Sequence, residues 1–109
     1  MKYSILKADA TAYKDGFALH DLSMSGVPSN VRALQFNDAY GKGHIEFELD
    51  SNGNLLTNEE ITALPDWAIA IFTAWDTAKI AYDAQIVRQA EQLAIAEAEF
   101  AAQQRSQTP

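Results

Sequence analysis

A chain of 109 residues is long enough for one hydrophobic core and too short for two. Fifteen acidic against eight basic residues leave a net charge of -7, which argues against a surface that neutralises nucleic-acid phosphates. With no cysteine, neither a disulfide framework nor a thiolate metal site is available, and no run of 18 apolar residues reads as a membrane span.

The first residues, MKYSILKADA, lack the apolar stretch of a signal peptide, and Lys2–Leu6 read as a strand with Tyr3 and Ile5 on one face. Asp15-Gly16 is the clearest turn signal, because a tight hairpin turn needs positive φ and Asp-Gly supplies it. Strands over Thr11–Lys14 and 17–20 are expected on either side. Residues 21–30 (DLSMSGVPSN) form a loop, yet Leu22, Met24 and Val27 are too apolar for a mobile linker and are expected to pack. Val31–Asn37 is a further strand, with Arg32, Leu34 and Phe36 expected on one face and Val31, Ala33 and Gln35 on the other. A loop over 38–43 leads to a strand over 44–49, where Ile45, Phe47 and Leu49 should face inward and His44, Glu46 and Glu48 outward. After a polar turn at 50–54, residues 58–61 (NEEI) suggest one helical turn. Asp66 is then the expected N-cap of a long helix.

That helix signal runs over 66–104 without a Gly or Pro, in a composition rich in Ala, Gln, Glu, Ile and Leu. At about 1.5 Å per residue it would be roughly 58 Å long. A compact domain of this size has a radius of gyration near ~13 Å, so the far half needs another partner, a bend or a frayed end. From Trp67 to Val87 the apolar coverage is broad and suits docking on a sheet. Beyond Arg88 the large apolar residues are Leu93, Ile95 and Phe100. Phe72, Lys79, Ile86, Leu93 and Phe100 fall seven apart, interleaved with Trp75, Tyr82, Gln89 and Ala96, a weak heptad with Lys79 and Gln89 in the seam. A frayed alanine-rich end is the alternative to self-association. A polar tail closes the chain, with 105–109 expected to be disordered.

Residue types that could carry chemistry are few. His20 and His44 match no metal-ligand spacing and read as surface strand residues. Glu59 and Glu60 are adjacent, so on a helix they point apart, and a first-turn acidic cluster accounts for them. Gly41-Lys42-Gly43 lacks the remaining glycine and hydroxyl of a phosphate loop and precedes a strand, which suits a hairpin loop. Ser23, Ser25 and Ser29 stand in no nucleophile context. Trp67 and Trp75 lie on one side of the helix as core anchors. The reading is a non-enzymatic chain with no catalytic residue, no cofactor and no metal site.

The order of Val31-Arg32-Ala33-Leu34-Gln35-Phe36-Asn37, Gly43-His44-Ile45-Glu46-Phe47, Asn58-Glu59-Glu60-Ile61 and Leu64-Pro65-Asp66-Trp67, ahead of an alanine-rich helix, resembles small proteins encoded beside tail-fibre genes in tailed bacteriophages. The Tyr13-to-Phe17 hairpin and the Leu22-to-Pro28 loop are similar too, so the resemblance spans about residues 13–84. Phe36 stands where that pattern more often has Trp. The resemblance implies a structural component of the virion tail, made in the host cytoplasm, an adaptor or decoration on the tail fibre or baseplate. The alternative is a fibre-assembly chaperone absent from the finished particle. It supplies no catalytic residues.

The expectation is therefore an α+β protein: a β module over 1–65, made of two hairpins plus the N-terminal strand, packed by the first half of the helix over 66–104. The second half is an extension on which Leu93, Ile95 and Phe100 bind a partner. That partner is a phage fibre or baseplate protein, or further copies of the chain in a trimer. Nucleic acid and membrane are not expected partners.

Overall fold

Six strands and one helix follow each other along the chain: β1 Lys2–Leu6, β2 Thr11–Lys14, β3 Phe17–Leu19, β4 Val31–Asn37, β5 Lys42–Phe47, β6 Glu59–Ile61 and α1 Asp66–Gln107. The computed structural model describes residues 1–107, with side chains through Arg105. The strands form one antiparallel sheet in the order β3-β2-β1-β4-β5-β6, so the protein is α+β as its sequence pattern predicts. Contacts divide the chain into two units, Met1–Thr77 and Ala78–Pro109.

In the first unit the β2–β3 hairpin turns on Asp15 and Gly16, both at positive φ (49° and 83°), the pair of conformations a two-residue type I′ turn requires. Asp15 also ties the hairpin to β1, since its carboxylate accepts the Lys2 N–H at 2.7 Å and its own N–H donates to the Lys2 carbonyl at 2.8 Å. The centre of the core is the β1–β4 pair, where Ile5 stands opposite Leu34 and both are sealed from solvent. Ala12 completes the row from β2.

The strict alternation expected along β4 is interrupted. A bulge between Val31 and Ala33 takes Arg32 out of register, so Val31, Ala33, Leu34 and Phe36 are all buried while Arg32 reaches Glu46 at 3.6 Å. The next strand is displaced from its expected place. Residues 38–41 close a turn with the Gly41 N–H on the Asp38 carbonyl and Gly41 at φ 62°, so pairing resumes already at Asn37 with Lys42. β5 therefore covers Lys42–Phe47 in place of 44–49. Ile45 is buried and Phe47 half-buried as inward residues, but Leu49 lies beyond the strand, 53% exposed.

The expected helical turn at 58–61 is a strand. Glu59, Glu60 and Ile61 pair with Ile45, His44 and Gly43, giving the free edge of β5 its hydrogen-bond partners. Pairing to an open edge outweighs the weak local helix preference of Glu-Glu. At the start of α1 the Pro65 carbonyl accepts the N–H groups of Ala68 and Ile69 at 2.9 and 3.0 Å. Pro65 thus occupies the cap position expected for Asp66, and Asp66 sits in the first turn, where its carboxylate still faces the positive helix end.

Ala68, Ile71, Phe72 and Trp75 recur at i, i+3, i+4 and i+7 and are all buried, which is the face α1 presents to the sheet within the first unit. The Trp75 indole N–H donates to the Ala12 carbonyl at 3.1 Å, and the Phe72 ring meets Tyr3 edge-on at 4.8 Å. Trp67 is half-buried, and Ile69 is exposed. Leu22 and Val27 bury themselves as the loop reading expects. The Lys14 ammonium lies 5.1 Å from the Trp75 ring centre and 5.8 Å from that of Tyr3, and it pairs with Asp76 at 2.5 Å. Exchanging Lys14 for Met keeps the aliphatic stem and removes the charge from two ring faces. The expected loss in a urea unfolding titration is about 1 kcal/mol, from cation–π attraction at a partly screened site. An unchanged midpoint would mean that the charge contributes nothing there.

Candidate interaction surfaces

The second unit is helical from Ala78 through residue 107, so the tail expected over 105–109 is helix as far as residue 107; 108 and 109 lie outside the described residues. Its large apolar side chains are all exposed: Ile80 (73%), Tyr82, Ile86, Val87, Leu93, Ile95 and Phe100 (62%). The docked part of the helix was expected to reach Val87. Burial of large side chains stops at Trp75, and Phe72 and Trp75 are already committed to the sheet, so the sevenfold repeat is open only from Lys79 onward.

Advancing about 100° per residue, these side chains fall into two lines on roughly opposite sides of the helix. Tyr82, Ile86, Leu93 and Phe100 form one, and Ile80, Val87 and Ile95 the other. Of the three residues singled out in the sequence, Leu93 and Phe100 share a line and Ile95 does not. Ile80, Tyr82, Ile86 and Val87 belong to the same surfaces, and the sevenfold repeat is the signal for Tyr82 and Ile86, though not for Ile80 and Val87. Lys79 pairs with Asp83 one turn on, at 2.6 Å, which places its ammonium beside Asp83.

A second surface lies on the sheet face that carries Ser4 in place of Ile5. Cross-strand registers align Tyr13, Ser4, Gln35, His44 and Glu60 in one row across five strands. A shallow hollow of about 310 Å³ opens there between Lys2, Ser4, Leu6, Tyr13, Gly16 and Gln35. The row offers a phenol, a hydroxyl, an amide, an imidazole and a carboxylate side by side, without the convergence of a nucleophile and a base on one point.

The remaining candidates stand apart. His20 lies just past the end of β3, one residue outside the strand expected over 17–20, with Nδ1 2.8 Å from the Thr11 hydroxyl, while His44 sits in β5. Among the described residues no three His, Cys, Asp or Glu side chains come together as a metal site. Glu59 and Glu60, adjacent in a strand, point to opposite faces. Gly41 serves the turn and Gly43 lies inside β5. Ser23 and Ser25 bond each other at 3.1 Å, and the Ser29 carbonyl accepts the Lys7 ammonium at 2.9 Å. No helix among the described residues is long and apolar enough to cross a membrane. Comparison with protein-family models, with characterised proteins and with solved structures finds no match.

Proposed function

We propose that this chain is a structural component of a tailed-phage virion, an adaptor or decoration joined to the tail fibre or baseplate through the helix beyond residue 77. The observation that carries the proposal is the run of exposed large apolar side chains from Ile80 to Phe100 on one unbroken helix. In proteins most helical stability comes from tertiary packing of an apolar face and not from propensity. Burying one Leu, Ile or Phe side chain contributes about 1.5–3 kcal/mol, so a partner that covers either line supplies both affinity and helix stability. The order of the strand, N-E-E-I and L-P-D-W motifs supports the tail assignment.

Mass spectrometry of purified virions is the direct test, with the chain expected in the particle at a fixed ratio to the fibre. Its presence during assembly and absence from the particle would replace the adaptor reading with that of a chaperone. Deleting residues 89–109 removes Leu93, Ile95 and Phe100 and leaves every strand in place. The shortened chain should keep a cooperative unfolding transition and lose incorporation or fibre binding. A truncated chain that assembles normally would remove the helix from the attachment role.

A further inference from the structure

The attachment reading leaves open what covers each of the two apolar lines, and a helix apolar on opposite sides needs two neighbours. We propose that the Tyr82–Ile86–Leu93–Phe100 line packs on the same line of further copies of this chain, parallel and in register. The inference rests on the reading of residues 78–107 as an interaction element, and commits its first line to self-association.

Spacing is the first argument. Residues 79, 86, 93 and 100 (Lys, Ile, Leu, Phe) take one seam position of a heptad, and 82, 89, 96 and 103 (Tyr, Gln, Ala, Gln) take the other. Large layers at Ile86, Leu93 and Phe100 thus alternate with smaller or polar ones at Gln89, Ala96 and Gln103. The one charged seam residue, Lys79, has its ammonium on Asp83, which belongs to the flank.

Charge sets the direction. The flanking positions are 83, 90, 97 and 104 (Asp, Ala, Glu, Gln) on one side and 78, 85, 92 and 99 (Ala, Gln, Gln, Glu) on the other. In a parallel pair the second set meets the first of the neighbour five residues on, which brings Ala78 to Asp83, Gln85 to Ala90, Gln92 to Glu97 and Glu99 to Gln104. Each carboxylate then faces a methyl or an amide, and the Gln92 and Gln104 amides can donate to Glu97 and Glu99. An antiparallel pair sets the first flank against itself and brings Asp83 to Glu97 twice, a like-charge contact that disfavours that arrangement. Ile80, Val87 and Ile95 remain outside the seam, available to a different protein.

The test uses the purified full-length chain, so its outcome is separate from incorporation into particles. Sedimentation equilibrium over a concentration series should give a mass that rises to a whole multiple of one chain. The double substitution Ile86→Asp, Leu93→Asp should abolish association while the near-UV circular dichroism of the two tryptophans of the first unit is unchanged, and Val87→Asp should leave association intact. Because the chain has no cysteine, Gln103→Cys reports direction cleanly. Parallel copies of that variant should form a disulfide on mild oxidation, whereas antiparallel copies would hold the two thiols about 36 Å apart. A chain that stays monomeric, a double variant that still associates, or an oligomer of the Gln103→Cys variant whose thiols do not pair would each overturn the inference. A monomer that still binds fibre would leave the attachment reading standing.

Discussion

Trp75→Ala is expected to lower the unfolding free energy of the protein by about 4 kcal/mol, in the range for a buried aromatic truncated to alanine. The indole is 7% exposed, its N–H is bonded to the Ala12 carbonyl on β2, and its ring takes the Phe17 edge from β3 at 6.2 Å and the Lys14 ammonium from β2. Removing it opens a cavity between helix and sheet and removes the indole hydrogen bond to the Ala12 carbonyl. Trp75→Phe separates the two effects: it keeps most of the ring volume, and the lost hydrogen bond should cost about 1 kcal/mol. Small domains have only ~5–15 kcal/mol in total, so the alanine variant is expected to show a much lower midpoint in guanidinium titrations followed by circular dichroism. A loss below about 1 kcal/mol for the alanine variant would mean that the indole does not hold the helix.

Gly43→Ala is expected to cost about 3 kcal/mol, the upper part of the range for forcing atoms into a packed site. A Cβ at this position would lie 2.2 Å from the Gln35 carbonyl oxygen, 2.7 Å from Phe36 Cα and 2.9 Å from the Phe36 ring. Two of those atoms are backbone of β4, so no side-chain rotation relieves the overlap and the β4–β5 ladder must part. Gly26 supplies the control. It has open space around its missing Cβ and no positive φ, so Gly26→Ala should be neutral or slightly stabilising through the unfolded chain. Equal thermal midpoints for the two variants would contradict the close approach at Gly43.

The gap between those two glycines shows where the sequence stops being legible. Gly43 sits in a Gly-Lys-Gly run that reads as loop, and nothing local distinguishes a glycine needed for a turn from one needed because a facing strand comes too close. Gly41 is the first kind and Gly43 the second. The displacement of β5 by two residues has a similar origin, since it depends on the Gly41-to-Asp38 bond that ends the turn early. The candidate surface was half visible. Leu93, Ile95 and Phe100 stand out as lone large residues in an alanine-rich stretch and Tyr82 and Ile86 are marked only by the sevenfold repeat, whereas Ile80 and Val87 look no different from the buried Ile71 and Phe72 that precede them.

What the sequence by itself determined are the features set over a few residues. The Asp15-Gly16 turn, the bounds of Val31–Asn37, the packing of Leu22 and Val27, and an uninterrupted helix opening at Asp66 all follow from backbone preference and short-range periodicity. Only the tertiary structure decided the rest: β4 beside β1, Glu59–Ile61 as an edge strand, the bulge that buries Ala33 with Leu34, and Trp75 as the last large buried side chain of the helix. Each of these depends on which surface another segment leaves unfilled. The same apolar periodicity continues past residue 77, and periodicity states only that a face is available for burial. Whether a face is covered depends on the apolar surface that other segments bring to it, and in the first unit that surface is spread over six strands and written in no single stretch of the chain.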